Sequence, residues 1–528
     1  MDKHQDIFLS TSDLEKLKLF EQVRQSKILE HANKASLDAY RDLQFDIYDI
    51  NFRQIAAQMN KSYGSIYNTY DSIVHDMKVL LDKLDPSIRD IFAVSNDEYH
   101  YFLVKQSDTF NFMSAILEGS CQSFENFYQE RGNSKATALR HLRSMRIFLK
   151  KFDIRVTYEP MRFVGDEKDI RLALGIMFWD ATRGFAWPFK EFDQKSAVWL
   201  MQNALQQLRY SDFNEITFLL FTNFAAVSCL RSYHGHSLKK DPRINYIQYP
   251  HTNIYSSLLK DADNNKVTES GLKPIIKHFL DLPDSILMNE TYNLYNLIHC
   301  SLNDIPYRAD KLGEILDYVK EYDTTIYHFV IESLQAMPYD VQQRLNLDDD
   351  AMKLLQVNCV RIIIGILAFG NSYYQMVTFY AGEEMDMSSI DLPEYKKQIR
   401  TVLTNLVNNE EFLDFDDKVT LLTDTLYNVS LRLMVLSSKH FAVKVYPSIE
   451  EDFFYYVDLI GTLYALPYVE LVDDSTTADL IITTSSTINV KHKSTAYMFQ
   501  WNHDTDSIQY GQLLSLIRDI WTNEKISK

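Results

Sequence analysis

The chain has 528 residues, 46% of them hydrophobic, with few Gly or Pro and a formal charge of -18. That length exceeds one ordinary core and predicts about three to five globular, mainly helical domains rather than disorder. Such an acidic whole excludes broad, indiscriminate affinity for phosphate backbones. The four scattered cysteines, Cys121, Cys229, Cys300 and Cys359, exclude a disulfide framework or a zinc site and read as buried thiols.

The first residues, Met1 to Asp6, are polar and lack a signal-peptide pattern. The most apolar run, Val360 to Phe369, is interrupted by Arg361 and reads as too short to span a bilayer. A soluble cytoplasmic protein with no membrane partner is the expectation.

Between Asn51 and Ile73 lies a first helix-turn-helix pattern. Ile55 and Ala56 sit in a first helix, Asn60-Lys61-Ser62 forms the turn, and Ile66 follows in a second helix predicted over Tyr63 to Ile73. No Arg or Lys lies in that second helix, where Ser65, Tyr67, Asn68 and Thr69 could hydrogen-bond DNA. The unit reads equally as an accessory reader, through Ser65 and Asn68, or as a structural helical domain.

The second pattern is basic. From Cys121 to Lys151, Arg131, Lys135, Arg140, Arg143, Arg146, Lys150 and Lys151 stand against only Glu125 and Glu130. A local cationic face on an acidic protein points to DNA binding by one placed element. Phe124, Phe127 and Tyr128 mark a short helix, Arg131-Gly132-Asn133-Ser134 a turn, and Ser134 a cap for the helix that follows. Ala138, Leu142, Met145, Leu149 and Phe152 recur at helical spacing, so a single helix is predicted to bury them.

In such a unit the second helix enters the major groove. Lys135, Thr137, Arg140, His141 and Ser144 are the candidates for base or phosphate contact, and Arg143, Arg146 and Lys150 for phosphates. Ile154-Arg155-Val156-Thr157 and Met161-Arg162-Phe163-Val164 then alternate as strands around Glu159-Pro160. This hairpin reads as a wing that brings Arg155 or Arg162 to the backbone. The competing view of a basic amphipathic helix as a merely solvated face is disfavoured by the preceding turn and following hairpin.

These tandem units, followed by the run Met161 to Arg171, resemble the Mga/AtxA family of transcriptional regulators of Gram-positive bacteria. There a G-x-E-x-x-I-R run leaves the wing and enters a regulatory domain; Gly165, Glu167, Ile170 and Arg171 match it. Gly165 permits a sharp exit from a strand, and Asp166 and Glu167 suit the positive end of the helix beginning there.

From Leu172 to about Asn409 apolar residues keep helical spacing, as in Leu172, Ile176 and Trp179, or Val198, Met201, Leu205 and Leu208. The stretch is similar to the family's paired PRD domains. In relatives these are phosphorylated on histidine by the sugar phosphotransferase system, so HPr or EII components are implied partners. His234, His236, His299 and His328 are the candidates here, although a lone histidine in an apolar helix is more often a hydrogen-bonded structural residue. Adjacent His234 and His236 lack companion ligands, so a metal site is rejected.

After His440 strands alternate with helices, predicting a small α/β sheet that resembles the family's EIIB-like domain. Tyr446-Pro447-Ser448 follows the first strand with no cysteine, and no Cys lies beyond Cys359, so cysteine phosphotransfer is excluded. Self-association is the role the resemblance implies.

The expectation is a mainly α, multidomain chain: a helix-turn-helix domain at 1–80, a winged helix-turn-helix domain at 81–174, PRD-like bundles at 175–290 and 291–410, a helical connector at 411–436 and an EIIB-like domain at 437–528. The function expected is a DNA-binding transcriptional regulator, an activator of virulence or carbon-responsive genes. It would engage double-stranded promoter DNA and RNA polymerase as a homodimer or higher oligomer, with no cofactor. The alternative is a phosphotransferase-linked sensor or interaction protein whose helix-turn-helix units are structural. No Gly-rich phosphate loop or Ser/His/Asp grouping supports an enzyme. The helical first hundred residues contradict the small β-rich module of an RNA-binding antiterminator.

Overall fold

The computed structural model describes residues 6–30, 49–209, 215–239, 249–251, 253–256, 272–301, 312–322, 324–337, 349–381, 393–437, 442–449, 453–466, 468–484, 492, 495–501 and 507–527. The chain is mainly helical and divides into two compact units, one of residues 1–245 and 251–295, the other of residues 246–250 and 296–528.

In the first unit the helix Thr11–Glu30 packs against Tyr63–Leu80 and Asn96–Gln106. Phe20 is fully buried between the rings of Phe92 and Tyr99, at 5.1 and 4.9 Å. Asp76 ties three helices together: Lys16 Nζ donates to it at 2.7 Å and the Tyr99 hydroxyl at 2.8 Å. Burial, together with the Asp76 charge, pushes the Tyr99 phenol well above its usual range, which keeps it a donor.

Helices Asp108–Leu117, Phe124–Glu130, Lys135–His141 and Arg143–Lys151 are followed by an antiparallel hairpin, β1 (Arg155–Tyr158) and β2 (Met161–Val164). The Phe112, Phe124, Phe127 and Tyr158 rings make the shared core, with centroids between 4.6 and 6.2 Å. The Met161 N–H donates to the Gln122 carbonyl at 2.8 Å, fastening the wing to the segment before Phe124.

The helix Glu167–Thr182 leaves the wing and lies against Glu215–Tyr233, which also receives Gln194–Gln207. Gly175 makes the close approach possible, because a Cβ there would stand 2.1 Å from the Phe224 ring. On Gln194–Gln207 the buried face is Ala197, Leu200, Met201, Ala204 and Leu205; Val198, expected in the core, is only half-buried.

The second unit contains Leu312–Tyr322, Thr324–Gln335, Asp349–Phe369, Asn371–Ala381 and Pro393–Leu406. The segment expected as a connector forms a 3-10 turn, Glu410–Lys418, and a helix, Val419–Ser437, that packs on Asp349–Phe369 and Pro393–Leu406 as a member of the bundle. The apolar run at Val360 to Phe369 is the end of a longer helix than its sequence boundaries indicate. By length and composition Glu215–Tyr233 and Met352–Phe369 could cross a membrane, but 67% and 78% of these windows are buried inside the structure, as in core helices.

The last domain has an all-parallel sheet in the order β4-β3-β5-β6: β3 (Val443–Ser448), β4 (Val469–Leu471), β5 (Leu480–Thr483) and β6 (Tyr497–Gln500). Helices Phe453–Ala465 and Ser507–Ser527 cover it, closing a core of Val443, Val445, Leu463, Leu480, Ile482, Ile517 and Ile520. Continuous burial along β5 is what a central parallel strand requires.

Candidate nucleic-acid interface

The basic segment folds as its turn chemistry dictates. Phe124–Glu130 ends on Gly132 at φ +68°, with the Gly132 N–H on the Gln129 carbonyl and the Asn133 N–H on the Tyr128 carbonyl, a Schellman closure. Ser134 then caps Lys135–His141, accepting from the Thr137 N–H at 3.2 Å.

The predicted single helix is broken at Leu142, whose φ of -77° and ψ of 4° end Lys135–His141 before Arg143–Lys151 begins. The break preserves the apolar stripe. Leu142 N–H still reaches the Ala138 carbonyl at 3.0 Å and Arg146 N–H the Leu142 carbonyl at 3.2 Å, so the helical phase is carried across. Ala138, Leu142, Met145, Leu149 and Phe152 are all at most 1% exposed.

Below the turn lies Asp108, at the start of its own helix and with a side chain only 5% exposed. Its carboxylate accepts from Asn133 Nδ2 at 2.7 Å, meets His141 Nδ1 at 2.6 Å and pairs with Arg131 Nε. Arg131 also donates to the Gln106 carbonyl. One buried acid thus holds the turn and the C-terminal end of the following helix together.

This arrangement sorts the basic residues. Lys135, Arg140, Arg143, Lys150, Arg155 and Arg162 are exposed, and no hydrogen bond or ion pair engages their side chains among the described residues. Arg155 and Arg162 share the outward face of the wing, since Arg155 pairs with Val164 and Thr157 with Arg162 while Met161 and Phe163 turn inward. His141, expected at the DNA, is exposed and sets its Nδ1 against the buried Asp108 carboxylate. Arg146 likewise donates back to the Leu139 carbonyl at 3.2 Å. Thr137 is half-buried, with its hydroxyl 3.0 Å from that of Ser134, and Ser144 is half-buried.

The upstream unit also forms. Asn51 caps Phe52–Gln58 and Ser62 caps the following helix, which runs from Tyr63 to Leu80 rather than stopping at Ile73. Asn60 turns the chain at φ 52°, and Ile55, Ala56 and Ile66 are buried at the crossing. Ser65 and Asn68 are exposed.

The Gly165 to Arg171 run joins the winged unit to the first bundle. Gly165 fits closely here, since an added Cβ would stand 3.3 Å from the Ile154 side chain and 3.4 Å from the Asp153 carbonyl. Asp166 caps the exit helix through the Lys168 N–H. Glu167 does more than complement the helix end: it takes Arg231 Nε at 2.9 Å and its terminal nitrogen at 2.6 Å, and Arg171 Nε at 3.1 Å. Arg171 pairs in turn with Glu290 and donates to the His236 carbonyl at 2.9 Å. Burial would push the Arg171 guanidinium down, but Glu290 holds it above its ordinary range. Asp108, Arg231 and Glu290 were not legible as partners, since each lies more than twenty residues from the groups it binds.

The histidines separate by exposure. His299 is 2% exposed and burial, with Arg361 adding, pushes it down to about 3, so it lacks the accessibility a phosphoacceptor needs. His328, expected within an apolar stretch, turns outward and its Nδ1 meets Glu411 at 3.1 Å. His234 Nε2 meets Glu191 at 2.7 Å, and His236 is exposed, with burial of part of its ring and Arg231 lowering its pKa. No group of His, Cys, Asp and Glu among the described residues could hold a metal ion.

Residues 92–177, from the helix before Asn96–Gln106 to the middle of the exit helix, match the family model of the Mga helix-turn-helix domain. No curated protein matches the chain.

Replacing Asp108 with Ala leaves the turn and His141 without their common acceptor. Breaking a buried ionic cluster in this way should cost about 3 kcal/mol of stability in urea unfolding and lower Tm. An unchanged unfolding midpoint would show that Asp108 does not hold the unit together.

Proposed function

We propose that the chain, whose residues 92–177 match the Mga helix-turn-helix domain, is a transcriptional activator that binds promoter DNA. The observation that carries this reading is the set of exposed, unengaged cations, Lys135, Arg140 and Arg143, beside a wing bearing Arg155 and Arg162, on a chain of net charge -18. Lys135–His141 enters the major groove, while the wing and Lys150 meet phosphates.

The bundles after Thr182 modulate this activity. Among the histidines, His236 and His328 are exposed and His234 is half-buried, so these three rather than the buried His299 are the candidates for phosphate transfer from HPr or an EII component. The C-terminal sheet mediates self-association. Its edge strand β6 leaves Tyr497 and Met498 44% and 49% exposed, and such an edge is a ready template for a second copy.

Three outcomes check these assignments. The double variant Arg140→Ala, Arg143→Ala should bind promoter DNA more weakly, reduce the slope of log K against log salt by about 2, and lower transcription from the bound promoters; wild-type affinity and slope in a folded variant would refute DNA binding by this face, and a rise in transcription would make the protein a repressor. Deletion of residues 437–528 should lower the oligomeric state in sedimentation, and a truncated chain that stays oligomeric would remove the role given to the sheet. Incubation with phosphorylated HPr should place phosphate on His234, His236 or His328 and none on His299; mass spectra free of phosphohistidine would leave the bundles as scaffolds.

A further inference from the structure

The segment before Thr11–Glu30 and the helices Asp108–Leu117 and Lys135–His141 enclose a cleft of about 690 Å³, a size that takes an organic molecule rather than a single ion. All of its walls belong to one compact unit. Ile7, Phe8 and Leu9 reach it from the N-terminal side, each at most 7% exposed. Asp6 fixes their backbone, accepting from the Phe8 and Leu9 N–H groups at 2.8 and 2.7 Å. Walls held in this way are formed before a ligand arrives, so little ordering entropy opposes its binding.

The charges in the cleft do not cancel evenly. Its acids are Asp6, Asp13 and Asp108, and its long cations are Lys16, Arg131 and Arg140. Every acid is engaged within the chain: Asp6 by backbone, Asp13 by the Ser10 hydroxyl at 2.7 Å and Lys16 Nζ at 2.8 Å, and Asp108 by Arg131, Asn133 and His141. Lys16 is held by Asp76 as well, and Arg131 by the Gln106 carbonyl. Arg140 is the exception, exposed and with no bond to its guanidinium among the described residues. Ser144 lines the same cleft one helical turn further on, and its hydroxyl likewise has no partner among the described residues. The charge left over is positive, and it stands beside a free hydroxyl donor.

We propose that this cleft binds a small organic oxyanion, a carboxylate or a phosphate ester, through the Arg140 guanidinium and the Ser144 hydroxyl, and that the bound anion withdraws Arg140 from DNA. The planar fork of a guanidinium matches two oxygens of a carboxylate or phosphate, and a neutral ligand cannot supply that match. The carbon skeleton of the ligand fills the remaining volume toward the N-terminal segment. One guanidinium cannot serve an anion in the cleft and a phosphate of the duplex together, so the two ligands oppose each other. Only this second half rests on the DNA-binding reading given above. It gives the winged unit a control of its own, separate from the bundles.

The test titrates the full-length protein in a calorimeter with glycerol 3-phosphate, with citrate and with glycerol, all at one ionic strength. At least one of the two anions should bind one-to-one with a Kd of about 1 mM or tighter, and glycerol should not bind. The anion that binds separates a phosphate ligand from a carboxylate ligand. Arg140→Ala should weaken anion binding about tenfold and Ser144→Ala about threefold, both with an unchanged Tm in the absence of anion. Lys78→Ala removes an exposed cation outside the cleft and should leave anion binding as it is. Saturation with anion should weaken binding of a duplex selected from the protein's own bound DNA about tenfold in the wild type and leave it unchanged in Arg140→Ala. No binding of either anion, equal binding of glycerol, the same loss in Lys78→Ala as in Arg140→Ala, or undiminished DNA affinity in the anion-saturated wild type would overturn the proposal. Failure of the underlying reading is seen separately, as wild-type DNA affinity and salt slope in an Arg140→Ala, Arg143→Ala variant that has lost anion binding.

Discussion

The buried ionic chain from Glu167 through Arg171 to Glu290, with Arg231 closing its other side, is the constraint on which the first unit depends. Arg171 and Arg231 are 2% and 1% exposed and Glu290 1%, so these charges have left water almost completely. Burying ions in this way is weak as a source of stability, because desolvation offsets most of the attraction, but losing one partner costs about 3–5 kcal/mol. The cluster therefore acts as a test of assembly. Only when the exit helix, Glu215–Tyr233 and Asp284–Ser301 meet in one register are all four groups satisfied together. The loop after Tyr233 is included in the same test, since Arg171 binds the His236 carbonyl and Glu290 accepts from the Leu238 N–H. Any change in that loop is felt one helical turn from the end of the wing, which gives the bundle a physical route to the proposed DNA face.

A similar logic operates inside the winged unit. Asp108 engages Arg131, Asn133 and His141, so three residues that composition alone would credit to the outer surface are used to fix its shape. What remains outside is a smaller set of cations with defined positions. On a chain of charge -18 this economy matters, because long-range repulsion from the rest of the molecule opposes nonspecific attachment. Affinity must then come from a few well-placed contacts.

Local patterns were readable before the structure, and distant partnerships were not. The Ser134 cap, the Gly132 turn and the Arg155–Val164 hairpin all depend on residues close in sequence, and all form. The stripe from Ala138 to Phe152 predicted burial correctly and continuity wrongly, because a single residue at Leu142 can leave helical geometry without shifting the phase of the stripe. The partners of His141 and Arg146 were not legible for a different reason: what a side chain engages depends on what lies beneath it, and Asp108 is 33 residues from His141. Likewise the Glu167–Arg171 pair is visible as an i,i+4 spacing, whereas Arg231 and Glu290 lie 64 and 119 residues away.

The contrast between the two helix-turn-helix units follows from the same accounting of charge. A protein with this much negative charge gains strongly from a small cationic patch, but ionic contacts alone position a helix without reading sequence and weaken as salt rises. An uncharged helix braced by Phe52 carries the opposite properties: little attraction at a distance, and contact energy that salt does not screen.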